Sequence, residues 1–182
     1  MHDQPPGDDL PSRLGKLMLL GAWGVGLLIV VLFFQGLIDG ARNPNRSPEG
    51  EAGPDGIHQV VLQRNRAGHY VADGTINGRP VVFLLDTGAT QVSLPLNLAK
   101  RLGLSLRPGG IGRTANGDVR TWYTRLDEVS LGGLSARRVA ATVLPGMEGS
   151  EVLLGMNYLK RFELIQRGDT LTLRPQSPPV SH

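Results

Sequence analysis

Apolar positions fall into two regimes along the chain. Residues 17–34 (LMLLGAWGVGLLIVVLFF) run for 18 positions without a charge, and across Gln35 the apolar stretch continues to Ile38. Twenty-two helical residues at about 1.5 Å each reach about 33 Å, the thickness of a bilayer's hydrocarbon core, so the pattern predicts one transmembrane helix over 17–38. A cleaved signal peptide has a shorter apolar core, about 7 to 15 residues, followed by a small-x-small cleavage site. Here Asp39 stands where a small residue is required. From residue 57 onward the pattern changes to short β-type runs broken by glycine and Asn-Gly turns, which predicts a compact all-β domain over 57–175.

Within that domain, Val60-Val61-Leu62 and Tyr70-Val71-Ala72 read as strands. Thr75-Ile76 and Val81-Val82-Phe83 flank Asn77-Gly78, a strong hairpin signal, with Pro80 just after the turn where a missing N–H is tolerated. The run 81–85 (VVFLL) is apolar throughout and predicts a strand buried on both faces. Pro95, Leu98, Leu102 and Gly103 fit a short helix with proline in its first turn and glycine at its end. Further hairpins are expected at Asn116-Gly117 and Gly132-Gly133. Arg167-Gly168-Asp169 reads as a β-turn between two strands.

The remaining segments are ordered by composition. Residues 39–56 (DGARNPNRSPEGEAGPDG) hold four glycines and three prolines without apolar periodicity, so they are expected to form a flexible linker. Asn45-Arg46-Ser47 inside it is a formal glycosylation sequon. Residues 1–16 form an N-terminal tail and 176–182 a disordered C-terminal tail. Arg13 and Lys16 precede the span and Arg42 and Arg46 follow it. The first pair lies closer to the apolar edge, which favours a cytoplasmic N-terminus with the β domain on the other side.

The inventory excludes several chemistries. The 182 residues include no cysteine, so disulfides, thiol nucleophiles and cysteine zinc sites are impossible. There is no H-E-x-x-H, no phosphate-binding G-x-x-x-x-G-K and no G-x-S-x-G; Gly133-Leu134-Ser135-Ala136-Arg137 lacks the final glycine. No metal and no cofactor is expected. The net charge of +3 comes from scattered arginines with no basic block interleaved with aromatics, so no nucleic-acid partner is expected.

What remains is Asp86-Thr87-Gly88-Ala89-Thr90 at the end of the VVFLL strand. A carboxylate at the mouth of a buried strand is desolvated on one side and needs hydrogen-bond donors close by. Gly88 lets backbone N–H groups approach it, and the hydroxyls of Thr87 and Thr90 can lock the loop. The same residues could also form an Asx-turn closing an ordinary strand.

Three separated segments, in order, resemble the retropepsin-like aspartic proteases, most closely a membrane-anchored bacterial branch. Phe83-Leu84-Leu85-Asp86-Thr87-Gly88-Ala89-Thr90 looks like the family's catalytic loop. Thr114-Ala115-Asn116-Gly117 lies where the family has its flap hairpin over the substrate. Val152-Leu153-Leu154-Gly155-Met156-Asn157-Tyr158-Leu159 is similar to the apolar-apolar-Gly segment that enters a short C-terminal helix. The resemblance implies a half-barrel with one or two short helices, Asp86 as the catalytic residue, Thr87, Gly88, Ala89 and Thr90 as loop support, and Ala115, Asn116 and Gly117 as the substrate-binding flap. It also implies Leu153, Leu154 and Gly155 packed against the loop, with Gly155 letting a helix start approach without a Cβ in the way.

The family's chemistry uses two aspartates that share one proton, and this chain has a single D-T-G. Two negative charges about 3 Å apart repel by about 5 to 6 kcal/mol at an effective dielectric near 20, so only one of such a pair ionises. The resemblance therefore implies a homodimer in which each copy supplies one Asp86. Many viral members carry an Asp–Arg pair where this chain has Thr90 and Met156. Both partners are missing together, which leaves no orphan charge and implies a weaker dimer; a membrane tether would offset this by concentrating the copies. The implied activity is hydrolysis of peptide bonds in protein substrates by a homodimer anchored in a bacterial inner membrane, its catalytic domain in the periplasm. Two other readings stay open: a fold that has lost turnover and serves as a peptide-binding or dimerisation module, and a structural β module.

Overall fold

Helix α1 (Leu10–Arg42) carries the apolar run. The computed structural model describes residues 10–114 and 117–176, with side chains described outside 10–17, 34–39 and 113–117. Residues 1–9 of the expected N-terminal tail and 177–182 of the C-terminal one thus lie outside the described residues. The chain divides into two units, Met1–Gly40 and Ala41–His182. In the first, the large apolar side chains from Met18 to Phe33 are all exposed, between 43 % at Val31 and 73 % at Trp23. Among the described residues no helix is long and apolar enough to cross a membrane; the described side chains stop at Phe33, short of the expected end at Ile38.

The second unit is built from β1 (Gly50–Ala52), β2 (His58–Gln63), β3 (Val71–Ile76), β4 (Arg79–Leu85), β5 (Val92–Pro95), α2 (Leu96–Arg101), β6 (Arg107–Thr114), β7 (Gly117–Leu131), β8 (Leu134–Leu144), β9 (Glu151–Leu154), α3 (Met156–Leu159), β10 (Phe162–Arg167) and β11 (Thr170–Pro175). Local chemistry sets most of the turns. Asn77 and Gly78 both take positive φ (51° and 74°), the geometry of a two-residue turn whose twist matches the flanking strands. Gly132 and Gly133 do the same between β7 and β8, and Gly168 (φ 56°) turns β10 into β11. Proline caps α2 from Pro95, one step before the expected first turn, and Gly103 (φ 66°) follows its end.

The larger sheet runs β3-β4-β9-β5-β8-β7-β6, and β3 also pairs with β7 through Thr75↔Ser130 and Ile76↔Val129. That extra pairing closes six of the strands into a ring. Gly74 permits the closure: a Cβ there would sit 2.5 Å from the Phe83 ring and 2.5 Å from the Ser130 carbonyl oxygen. Phe83, Leu126, Val143, Leu154 and Tyr158 are fully buried at its centre, and burying such side chains is the main favourable term in folding. A smaller sheet, β1-β2-β11-β10, carries Val60, Leu62 and Leu173 into the same core.

Strand β4 departs in part from its sequence reading. Val81 and Phe83 are buried, while Val82, Leu84 and Leu85 are only partly covered, so one face of the VVFLL strand is core and the other is half-buried.

The larger correction concerns residues 39–56. They do not form a free linker: α1 extends to Arg42, Asn43 and Asn45 are buried, and residues 50–52 form β1 against β2. The reason is hydrogen bonding rather than apolar burial. Asn45 donates from Nδ2 to the carbonyls of Gln63 (3.0 Å) and Val71 (2.7 Å) and accepts from Gln63 N (2.7 Å), filling a gap between β2 and β3 as a strand would. The sequon asparagine is therefore consumed inside the fold.

Candidate active site

Strand β4 ends by delivering Asp86 to the edge of the ring, partly buried, between β9 and the loop that leads into β5. Parallel pairing of β4 with β9 sets Leu84 opposite Leu153 and Leu85 opposite Leu154. Asp86 continues this pairing, donating its N–H to the Leu154 carbonyl at 3.2 Å. The carboxylate is then met by the chain that follows: Gly88 N–H donates to Asp86 Oδ1 at 2.8 Å, and Ala89 N–H donates to the Asp86 carbonyl at 3.2 Å. A turn so closed holds the carboxylate through one oxygen.

The loop's outer half is fastened to the start of α3. Met156 N–H donates to the Ala89 carbonyl (2.8 Å) and Asn157 N–H to the Thr90 carbonyl (3.1 Å). These are the orphan donors of a helix N-terminus, and here the loop carbonyls satisfy them. Gly155 is the residue that makes this approach possible. Its φ of −84° and ψ of −179° suit any residue, but a Cβ would lie 2.5 Å from the Gln91 carbonyl oxygen and 2.7 Å from that of Ala89. Glycine is needed here for space and not for its backbone freedom.

The structure thus brings together Asp86, Thr87, Gly88, Ala89 and Thr90 with Leu153, Leu154 and Gly155, as the sequence reading grouped them. Leu154 is fully buried and Leu153 half-buried beside the loop. The means of fastening differs from expectation. Thr87 and Thr90 are exposed, and the bonds that hold the loop run through backbone groups. One fastening side chain was given no role in the sequence reading, which named it only within the segment entering the short helix. Asn157 accepts from Val92 N (3.0 Å) on Oδ1 and donates from Nδ2 to Ala140 O (2.7 Å), tying α3 to β5 and β8. Its only trace in the sequence is an amide just after the LLG segment.

The expected flap is the β6–β7 hairpin, paired out to Thr114↔Gly117. Gly117 is the first residue of β7, whereas Ala115 and Asn116 lie outside the described residues. A register shift between Pro108 and Ile111 kinks the hairpin, and the Thr121 hydroxyl pins it by donating to Gly110 O at 2.9 Å. Beside the kink, Pro108, Ile111, Thr121 and Trp122 line a cavity of about 330 Å³. Ile111 is 73 % exposed there. A larger cleft of about 700 Å³ is lined by Gln91, Arg107, Tyr123 and Arg125 among others, and Asp86 is not part of its lining.

Comparison with known proteins bears on this arrangement. A family model described as "gag-polyprotein putative aspartyl protease" matches residues 72–161, from β3 through the Asp86 loop and the β6–β7 hairpin to the end of α3. A crystal structure of a retropepsin-like aspartic protease from Rickettsia conorii is similar at a TM-score of 0.56 with 29 % identity, over 63 % of this chain and 98 % of that one. An uncharacterized protein in the cobV 5' region of Sinorhizobium sp. is 34 % identical over 126 residues, 66 % of this chain and 53 % of its own. An uncharacterized protein of Rickettsia prowazekii (strain Madrid E) is 28 % identical over 111 residues, 59 % of this chain and 47 % of its own. The chain spans about half the length of these curated relatives.

Proposed function

Because the chain carries a retropepsin-like aspartic protease domain, we propose that it is an aspartic endopeptidase that hydrolyses peptide bonds as a homodimer, each copy supplying Asp86. The observation that carries this reading is the Asp86 loop itself. A single carboxylate is presented at the edge of the ring, hydrogen-bonded through Oδ1 to the Gly88 N–H and fixed by the backbone of α3, with no second D-T-G in the 182 residues. A two-fold axis beside the loop would set two such groups face to face.

In that pair one carboxylate is ionised and the other protonated. The ionised one takes a proton from water as the water oxygen attacks the peptide carbonyl, and the protonated one gives its proton to the carbonyl oxygen. The product is a neutral tetrahedral diol. It collapses by breaking the C–N bond as the amine nitrogen takes up the proton abstracted from water and a diol hydroxyl returns its proton to the other carboxylate, leaving a free acid, a free amine and the pair again holding one proton. No covalent acyl-enzyme forms. Peptide substrate would lie in extended form under the β6–β7 hairpin, and the apolar lining by Pro108, Ile111 and Trp122 supports a preference for apolar side chains near the cut.

The anchor belongs to the same proposal. A helix that exposes large apolar side chains around its whole circumference from Met18 to Phe33 needs an apolar surrounding, and the uncharged run over 17–38 supports a membrane span with the protease domain outside the cytoplasm, in the periplasm of a bacterium. Asp86→Asn in the full chain tests the catalytic assignment: cleavage of an unfolded protein substrate should vanish while the circular dichroism spectrum and melting temperature stay unchanged. Retained cleavage would remove the assignment.

A further inference from the structure

Past Arg42 the chain is clamped at once: Asn43 Nδ2 donates to Asp73 Oδ1 (2.6 Å), Asn45 N to Asn43 Oδ1 (2.9 Å), and Asp73 N to the Asn45 carbonyl (2.9 Å). Arg42 is itself tied in, because its carbonyl accepts from Asn65 Nδ2 at 2.9 Å. The same Asn65 builds a tight turn over residues 64–69. Its Oδ1 accepts from Ala67 N (3.0 Å) and His69 N (2.9 Å), and its N–H donates to the His69 carbonyl (2.8 Å). Arg66 stands exposed on that turn, and Arg42 is exposed beside it. Arg64 is held inward, its guanidinium donating to Gly168 O (2.7 Å) and 3.5 Å from Asp169.

We propose that the exposed pair Arg42 and Arg66 is a docking surface for anionic phospholipid headgroups. This rests on the membrane-anchor reading above. Chain length makes the argument. Arg42 comes four residues after Ile38, the last residue of the apolar run, so it lies at most about 14 Å from the lipid edge if extended and about 6 Å if helical. A headgroup layer is about 5 to 7 Å deep, and charges are felt over a further 8 to 10 Å or so in physiological salt. The Arg42 guanidinium therefore cannot leave the field of the surface, and the bond from Asn65 Nδ2 to the Arg42 carbonyl keeps the turn that carries Arg66 next to it. The planar donor forks of both arginines match phosphate oxygens. A cavity of about 470 Å³ lined by Arg42, Asn65 and His69 is also lined by Glu148 and Glu151, so the exposed arginines and not the cavity carry the contact.

The test uses the full chain in vesicles of phosphatidylcholine alone and of phosphatidylcholine with phosphatidylglycerol in equal amounts, reading hydrogen exchange of the amides in residues 64–69. Anionic vesicles should slow that exchange, by about fivefold for each arginine engaged, and the double variant Arg42→Gln/Arg66→Gln should exchange equally in both. Equal exchange of the wild-type chain in the two vesicles overturns the proposal. So does slowing that survives in the double variant, or slowing produced by inorganic phosphate in detergent without vesicles. Failure of the chain to float with either vesicle defeats the anchor reading itself, a result separate from flotation with unchanged exchange.

Discussion

Gly155→Ala is the sharpest probe of how the active-site loop is held. The new Cβ would lie 2.5 Å from Gln91 O, 2.6 Å from Gln91 C and 2.7 Å from Ala89 O. All three are backbone atoms of the loop, so no side chain can swing away. Alanine tolerates the local φ and ψ, which confines the cost to this collision. Relief requires the start of α3 to move outward by several tenths of an ångström, lengthening the bonds from Met156 N to Ala89 O (2.8 Å) and from Asn157 N to Thr90 O (3.1 Å). Overpacking costs about 1 to 3 kcal/mol, and each weakened bond adds up to about 1 kcal/mol. A total near 3 kcal/mol should lower the melting temperature by about 10 °C for a unit of this size. Gly110→Ala is the control: a Cβ there meets nothing within 4 Å, so its change should stay within about 0.5 kcal/mol. Thermal unfolding followed by near-ultraviolet circular dichroism reads both. Below its melting point Gly155→Ala should also cleave about 100-fold more slowly, because Asp86 shifts with the loop. Equal melting temperatures for the two variants would refute the steric argument.

Asn45→Ala should destabilise the fold by about 2 to 4 kcal/mol, since it strips partners from Gln63 N, Gln63 O and Val71 O; urea unfolding measures this, and a loss near zero would mean that the segment is not clamped. Tyr158→Phe should cost about 1 to 2 kcal/mol at neutral pH through the bond from its hydroxyl to Leu134 O (2.8 Å). Burial raises the Tyr158 pKa above its ordinary value of 10.0, with Arg161 opposing part of the rise. The neutral phenol is thus favoured in the folded state, so its contribution is complete below pH 10 and is lost as pH climbs beyond it, where the unfolded chain ionises first. The stability gap between wild type and Tyr158→Phe, measured by urea unfolding, should therefore narrow above pH 10; a gap that stays constant to pH 11.5 or so would contradict the assigned cause.

Features written in adjacent residues were legible in the sequence. Asn77-Gly78, Gly132-Gly133 and Gly168 turn where their backbone freedom permits, and VVFLL leads into Asp86 as an apolar strand must. The union of the Asp86 loop with Leu153, Leu154 and Gly155 was legible through resemblance rather than through pattern, because those segments lie more than 60 residues apart. Three features were not legible. Closure of the ring rests on only two residue pairs between β3 and β7, a long-range contact with no periodic signature. The segment 43–52 is held by amide hydrogen bonds and an edge strand, and such bonds leave no apolar trace in a stretch rich in glycine and proline. The threonines of the loop suggested hydroxyl locks, but the spare donors at the start of α3 already serve that purpose through the backbone.

The central claim is that hydrolysis needs one Asp86 from each of two copies, and it is tested most directly by mixing. Wild-type and Asp86→Asn chains, distinguished by tags and co-expressed in equal amounts, are purified together and assayed for cleavage per wild-type chain. A shared centre predicts that this specific activity falls by half, because half of the wild-type chains sit opposite an inert partner. An unchanged specific activity would show that one chain suffices and would contradict the account.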